Sequence, residues 1–117
     1  MLFAVVFGAA ASDVDIQQSV QAFIRREGVR KIVSAAEQVT RSIADGGKIV
    51  WVAPLDQLRP RRAYCDRVNL VIVIREDTDG EHGLYVVLPH SSHLPVAGDG
   101  WTFEPKDSQA CFYTRKK

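Results

Sequence analysis

Two histidines three residues apart, His90 and His93, stand in the run Leu-Pro-His-Ser-Ser-His-Leu-Pro. Imidazole titrates near neutrality and carries a nitrogen lone pair, so the pair suits acid–base work, as in a small hydrolase, or metal ligation. A zinc site needs three or four ligands, and no nearby cysteine or carboxylate completes an accepted spacing. The remaining histidine, His82, is upstream. A polar surface loop is the simpler reading of these residues.

Glu104-Pro105-Lys106 follows the strand-like Trp101-Thr102-Phe103. A Glu-x-Lys at a strand end, with an upstream carboxylate such as Asp79 or Asp99, has the form used by metal-dependent nucleases. There the carboxylates hold Mg²⁺ and the lysine supports the attacking water. Proline is an awkward middle residue, because it gives no donor to a ladder. A glutamate and a lysine at a turn explain the same letters.

Basic residues gather in three places: Arg25, Arg26, Arg30 and Lys31; then Arg59, Arg61, Arg62 and Arg67; then Arg115, Lys116 and Lys117. Such groups could track a phosphate backbone. Against that, 15 Lys and Arg meet 14 Asp and Glu, a formal charge of +1, and Glu76, Asp77, Asp79 and Glu81 form an acidic counterpart. Solvated helix faces and loops are the preferred reading. There is no G-x-G-x-x-G, no P-loop and no G-x-S-x-G elbow, and no cofactor is implied. Cys65 beside Asp66 and Arg67 could be activated, but no base is identified for it. Tyr85 and Trp101 lie near two polar stretches, Asp77–His82 and Pro89–Gly100, and are candidate aromatic anchors for a protein partner.

The elements that must position these groups follow from periodicity. Ser12 or Asp13 caps a helix whose apolar residues Ile16, Val20, Phe23 and Ile24 recur at helical spacing. Gly28 interrupts it, and Val29, Ile32, Val33, Ala36, Val39 and Ile43 resume the stripe until Gly46-Gly47. The expectation is one kinked helix or two, Val14–Arg26 and Val29–Ala44. Strands are expected at Lys48–Ala53, Val68–Ile74, Gly83–Leu88, Trp101–Glu104 and Ala110–Thr114, with a loop around Pro60 and a long polar loop from Arg75 to His82. Residues 1–11 read either as a buried first strand, Leu2–Phe7, or as the apolar middle of a secretory signal. A strand there would make a right-handed β-α-β crossover with Lys48–Ala53.

The 117 residues, 46% hydrophobic and 25% charged, make one ordinary domain able to bury roughly two-thirds of its unfolded surface. Two cysteines are too few for a disulfide scaffold, and no apolar run is long enough to span a bilayer. The expected fold is α/β or α+β in two layers. It has a mixed, mostly antiparallel sheet of roughly four to six strands, with the kinked helix or two helices on one face. The expected function is a non-enzymatic domain that binds another protein, as an inhibitor, immunity-type protein or accessory subunit. Nucleic-acid binding, with metal-dependent cleavage through Glu104 and Lys106, is the alternative. A cytoplasmic location with reduced thiols follows from the strand reading of residues 1–11; the signal reading implies export and a Cys65–Cys111 bridge.

Overall fold

The computed structural model describes residues 13–44, 46, 48–91, 94–105 and 108–117. The expected strand Leu2–Phe7 lies outside them. The first helix, α1, runs Asp13–Glu27 and the second, α2, Val29–Ala44. Ile16, Val20 and Phe23 are buried on α1 at one-turn and two-turn spacing; Ile32, Val33, Ala35, Ala36 and Val39 are buried on α2. Gly28 separates the helices. Its N–H donates to the Ile24 carbonyl at 2.9 Å, closing α1, and its own carbonyl accepts from Ile32 at 3.2 Å, opening α2. The link needs φ of +88°, a left-handed conformation that costs glycine little. The structure thus selects two helices over one kinked helix.

Five strands follow: β1 Arg62–Asp66, β2 Asn69–Asp77, β3 Gly80–Val86, β4 Trp101–Glu104 and β5 Ala110–Lys116. Their order in the sheet is β1-β2-β3-β5-β4, and every pairing is antiparallel. The fold is α+β in two layers, with α1 and α2 packed against β3 and β5. Among the described residues the sheet contains no parallel pair, so the mixed character expected for it is replaced by a purely antiparallel ladder.

Three expected elements are corrected. Lys48–Ala53 forms no strand. Ile49 and Trp51 pack on the core on either side of the exposed Val50, but Val52 also packs inward and no neighbouring strand completes a ladder. The expected crossover therefore has no second strand there. Second, the arginine-rich stretch after Pro60 is not all loop, because Arg62–Asp66 is the edge strand β1. Third, the expected long loop between the two apolar strands is a tight turn. β2 continues to Asp77 and β3 starts at Gly80, with the Asp77 carboxylate accepting the N–H groups of Asp79 and Gly80 at 2.9 and 3.1 Å.

Side chains alternate between the two faces of the sheet. Leu70, Ile72, Leu84, Val86, Ala110 and Phe112 meet the helices. Val71, Tyr85, Val87, Phe103, Cys111 and Tyr113 form a second cluster on the opposite face, flanked by Tyr64 and Trp101. The cysteines follow the same rule. Cys65 sits opposite Leu70, on the helix side, whereas Cys111 sits opposite Tyr85, on the other. Both are free thiols. Among the described residues, no helix is long and apolar enough to cross a membrane.

Candidate cleft on the open face of the sheet

The second face concentrates the polar chemistry. Glu81, only 5% exposed, accepts hydrogen bonds from the hydroxyls of Tyr64 (2.6 Å) and Tyr113 (2.8 Å) and from Arg62 (3.1 Å). Glu76 stands directly opposite Glu81 in the β2–β3 register. Two carboxylates so placed repel, and Arg62 relieves this by also binding Glu76 through two nitrogens at 2.9 and 3.2 Å. That contact holds the Glu76 carboxyl below its ordinary value and the Arg62 guanidinium above its own. Burial, then the bond to Glu81, pushes the Tyr64 hydroxyl up to about 12. The same causes push Tyr113 up. Arg115 donates to the Tyr64 hydroxyl at 2.9 Å and lies 4.8 Å over the Trp101 ring.

A side-chain contact between β1 and β5, which have two strands between them in the order, fits a sheet that curls toward this face. Where the curl brings the edge strands β1 and β4 together, a cleft of about 240 Å³ opens. It is lined by Asp66 and Arg67 at the end of β1, by Pro95, Val96, Gly98 and Asp99 of the segment before β4, and by Trp101 and Phe103 of β4. Tyr85 lies beneath, edge-on to Trp101 (5.9 Å) and Phe103 (5.1 Å), and its hydroxyl donates to the Asp66 carboxylate at 2.7 Å. Burial, then that bond, raises the Tyr85 hydroxyl well above its ordinary value. Asn69 ties this corner to β3: its amide donates to the Tyr85 hydroxyl at 3.2 Å and accepts from the Leu88 N–H at 3.1 Å.

Both walls are set by tight turns. Arg67, at φ +60°, leads the two-residue link from Asp66 to Asn69. Asp99-Gly100, at φ +52° and +90°, joins Gly98 to Trp101, which exchange two backbone hydrogen bonds of 3.0 Å. Positive φ at both central residues is the type I′ geometry that Asp-Gly favours. Large aliphatics are exposed on the same segments: Val68 (52%) on the first turn, and Leu94 (55%) and Val96 (76%), the last of which lines the cleft, before the second.

The candidate residues fall in different places. Trp101 lines the cleft, but Tyr85 is fully buried and presents no surface of its own to a partner. His90 is exposed at the end of β3's outgoing chain, and His93 lies outside the described residues. Glu104 is exposed on the edge strand β4, while Lys106 lies outside the described residues. Among the described residues no three His, Cys, Asp or Glu side chains stand close enough to share a metal ion. Burial raises the Cys65 thiol, the opposite of activation.

The basic groups are interleaved with acids. Arg26 pairs with Glu27 at 2.9 Å and donates to Gln57 at 3.1 Å, and Lys31 reaches the same Glu27 at 3.6 Å. Arg25, Arg59 and Arg61 are exposed, whereas Arg62 is engaged by Glu76 and Glu81. Arg30 lines a wider hollow of about 480 Å³ beside α2, with Glu37 on the same wall. Asp66 and Val96 carry no short-range motif that marks them as a site, and Asp99 was a candidate only beside Glu104 and Lys106; the fold alone brings the three into one lining. Compared with known proteins, the chain matches no family model, no curated protein and no solved structure.

Proposed function

We propose that this is a non-catalytic domain that binds another protein through the cleft between the β1–β2 turn and the segment 94–101. One observation carries the reading. Of the four large hydrophobic side chains exposed among the described residues, Val96 lines this cleft, and Val68 and Leu94 each adjoin a lining residue in sequence. Exposed aliphatics are unremarkable singly, but Val96 beside Trp101 and Phe103 in one hollow, with two more on the adjoining segments, has the anatomy of a contact patch. Trp101 and Arg67 supply side-chain types that dominate such contacts. An inhibitor, immunity-type or accessory-subunit role fits a small rigid domain with one such patch. A reducing, cytoplasmic setting fits the exposed, unpaired Cys65. Nucleic-acid binding draws less support, because Glu27, Glu76 and Glu81 engage basic side chains that it would use.

The test compares wild type with Leu94→Asp and Val96→Asp as cross-linking baits in lysate of the native host. Both side chains are exposed, so stability stays within about 0.5 kcal/mol of wild type. The expected result is a discrete protein cross-linked to wild type and lost from both variants. Identical captured sets would overturn the reading. Retention on DNA or RNA that falls steeply with salt would replace it with the nucleic-acid alternative.

A further inference from the structure

Resting on that reading, we propose that the segment 94–98 is a strand poised to close on β4, and that closing withdraws the contact patch from the partner. The Asp99-Gly100 turn joins Gly98 to Trp101 by two backbone hydrogen bonds, yet among the described residues the pairing stops at that single bridge. The same register continued sets Ala97 opposite Thr102, Val96 opposite Phe103 and Pro95 opposite Glu104. Three features of the chain fit that continuation. First, backbone hydrogen bonding alternates between the two sides of an antiparallel strand. Gly100 accepts from Lys116 of β5, and Trp101 exchanges bonds with Gly98 on the other side. Phe103, two residues after Trp101, therefore directs its N–H and C=O outward, where neither bonds a described residue. Val96 is the residue whose backbone would take up both. Second, Pro95 falls at a non-hydrogen-bonded position, where its missing donor costs the ladder nothing. Third, opposed side chains share a face of the sheet. Trp101 and Phe103 belong to the cluster on the open face, so closing carries Val96, now 76% exposed, over Phe103 and turns Leu94, 55% exposed, to the same face. Val96 and Phe103 both line the cleft, so closing narrows it and covers the aliphatics offered to the partner. A partner that holds Leu94 and Val96 binds the open form alone and shifts the chain toward it.

Trapping cysteines test the register on the full chain. In a Cys65→Ser background, Pro95→Cys with Glu104→Cys places two thiols at a non-hydrogen-bonded pair, whose Cα separation of about 4.5 Å suits a disulfide. Val96→Cys with Glu104→Cys, one residue out of register, is the control. In a glutathione redox buffer the in-register pair should close about tenfold more favourably than the control. Equal closure of the two pairs would overturn the strand. If either pair fails to fold, amide hydrogen exchange on the wild-type chain decides. Val96 should exchange about twofold or more slower than Ala97, whose N–H points away from β4 in the closed hairpin. Equal exchange at the two amides would overturn the strand as well. The oxidised in-register variant should then capture no partner in lysate, and reduction should restore capture. Capture unaffected by oxidation removes the regulation and leaves the patch standing. Capture unaffected by Leu94→Asp and Val96→Asp removes the patch and the regulation with it, while register-specific closure still upholds the strand.

Discussion

A carboxylate that is 5% exposed needs donors in place of the water it has lost, and Glu81 has three of them in Tyr64, Tyr113 and Arg62. Removing it strands groups of unequal value. Arg62 is 44% exposed and keeps Glu76, so its loss is small. Tyr113 is fully buried, and its hydroxyl would have no acceptor. Glu81→Ala is therefore expected to cost about 3 kcal/mol, and Glu81→Gln, which keeps an acceptor for the tyrosines, about 1 kcal/mol. Urea midpoints at constant slope measure both, and equal losses would show that charge, not hydroxyl satisfaction, governs the site. The same residue explains why this corner was illegible in the chain. Glu76, Glu81 and His82 look like loop residues when counted by polarity. Their neutralising partner, Arg62, is remote in sequence and reaches them only because β1 lies beside β2. That Asp66 and Asp99, on opposite edges of the sheet, line one cleft was hidden for the same reason.

At the level of elements, two glycines separate backbone freedom from backbone clearance. Gly28 sits at φ +88° with open space around it, so Gly28→Ala meets only the left-handed penalty, about 1 kcal/mol. Gly83 faces β2 where the ladder slips between Val73 and Arg75, and a Cβ there would lie 1.9 Å from the Ile72 carbonyl oxygen. Strands must separate to admit it. Gly83→Ala is expected to cost more than about 3 kcal/mol or to abolish folding. Chemical denaturation of the two variants side by side checks the ranking, and comparable small losses would mean the slip relaxes freely. Helices and central strands were legible because their signals are local: Ile16, Val20 and Phe23 repeat along one helix face, and Leu70 to Val73 are apolar on both faces of a middle strand. Lys48–Ala53 and Arg62–Asp66 were misread in opposite directions for one cause. Alternation reports that a segment has a buried side, and only a neighbouring strand makes it part of a sheet. Ile49 and Trp51 have the first without the second, whereas the half-exposed β1 has a partner and little apolar pattern.

For the molecule as a whole, the curl of the sheet gathers all three tyrosines of the chain, Tyr64, Tyr85 and Tyr113, onto one face. Each is raised by burial first and by a hydrogen bond to a carboxylate second: Glu81 for Tyr64 and Tyr113, Asp66 for Tyr85. In an unfolded chain tyrosine ionises near pH 10. Below that pH both states keep the protons and the tyrosines add no pH dependence. Above it the unfolded chain releases them while the fold retains them, Tyr64 up to about 12. The native state then binds more protons than the unfolded one, so stability falls as pH rises, with as many as three protons contributing to the slope. Tyrosinate absorbance should therefore show no ordinary tyrosine near pH 10. It should rise only at higher pH, in a single steep step that coincides with loss of the far-ultraviolet circular dichroism. A tyrosine titrating near pH 10 with the dichroism intact would mean that its hydroxyl faces water, and that the curled face with its cleft is not closed as described.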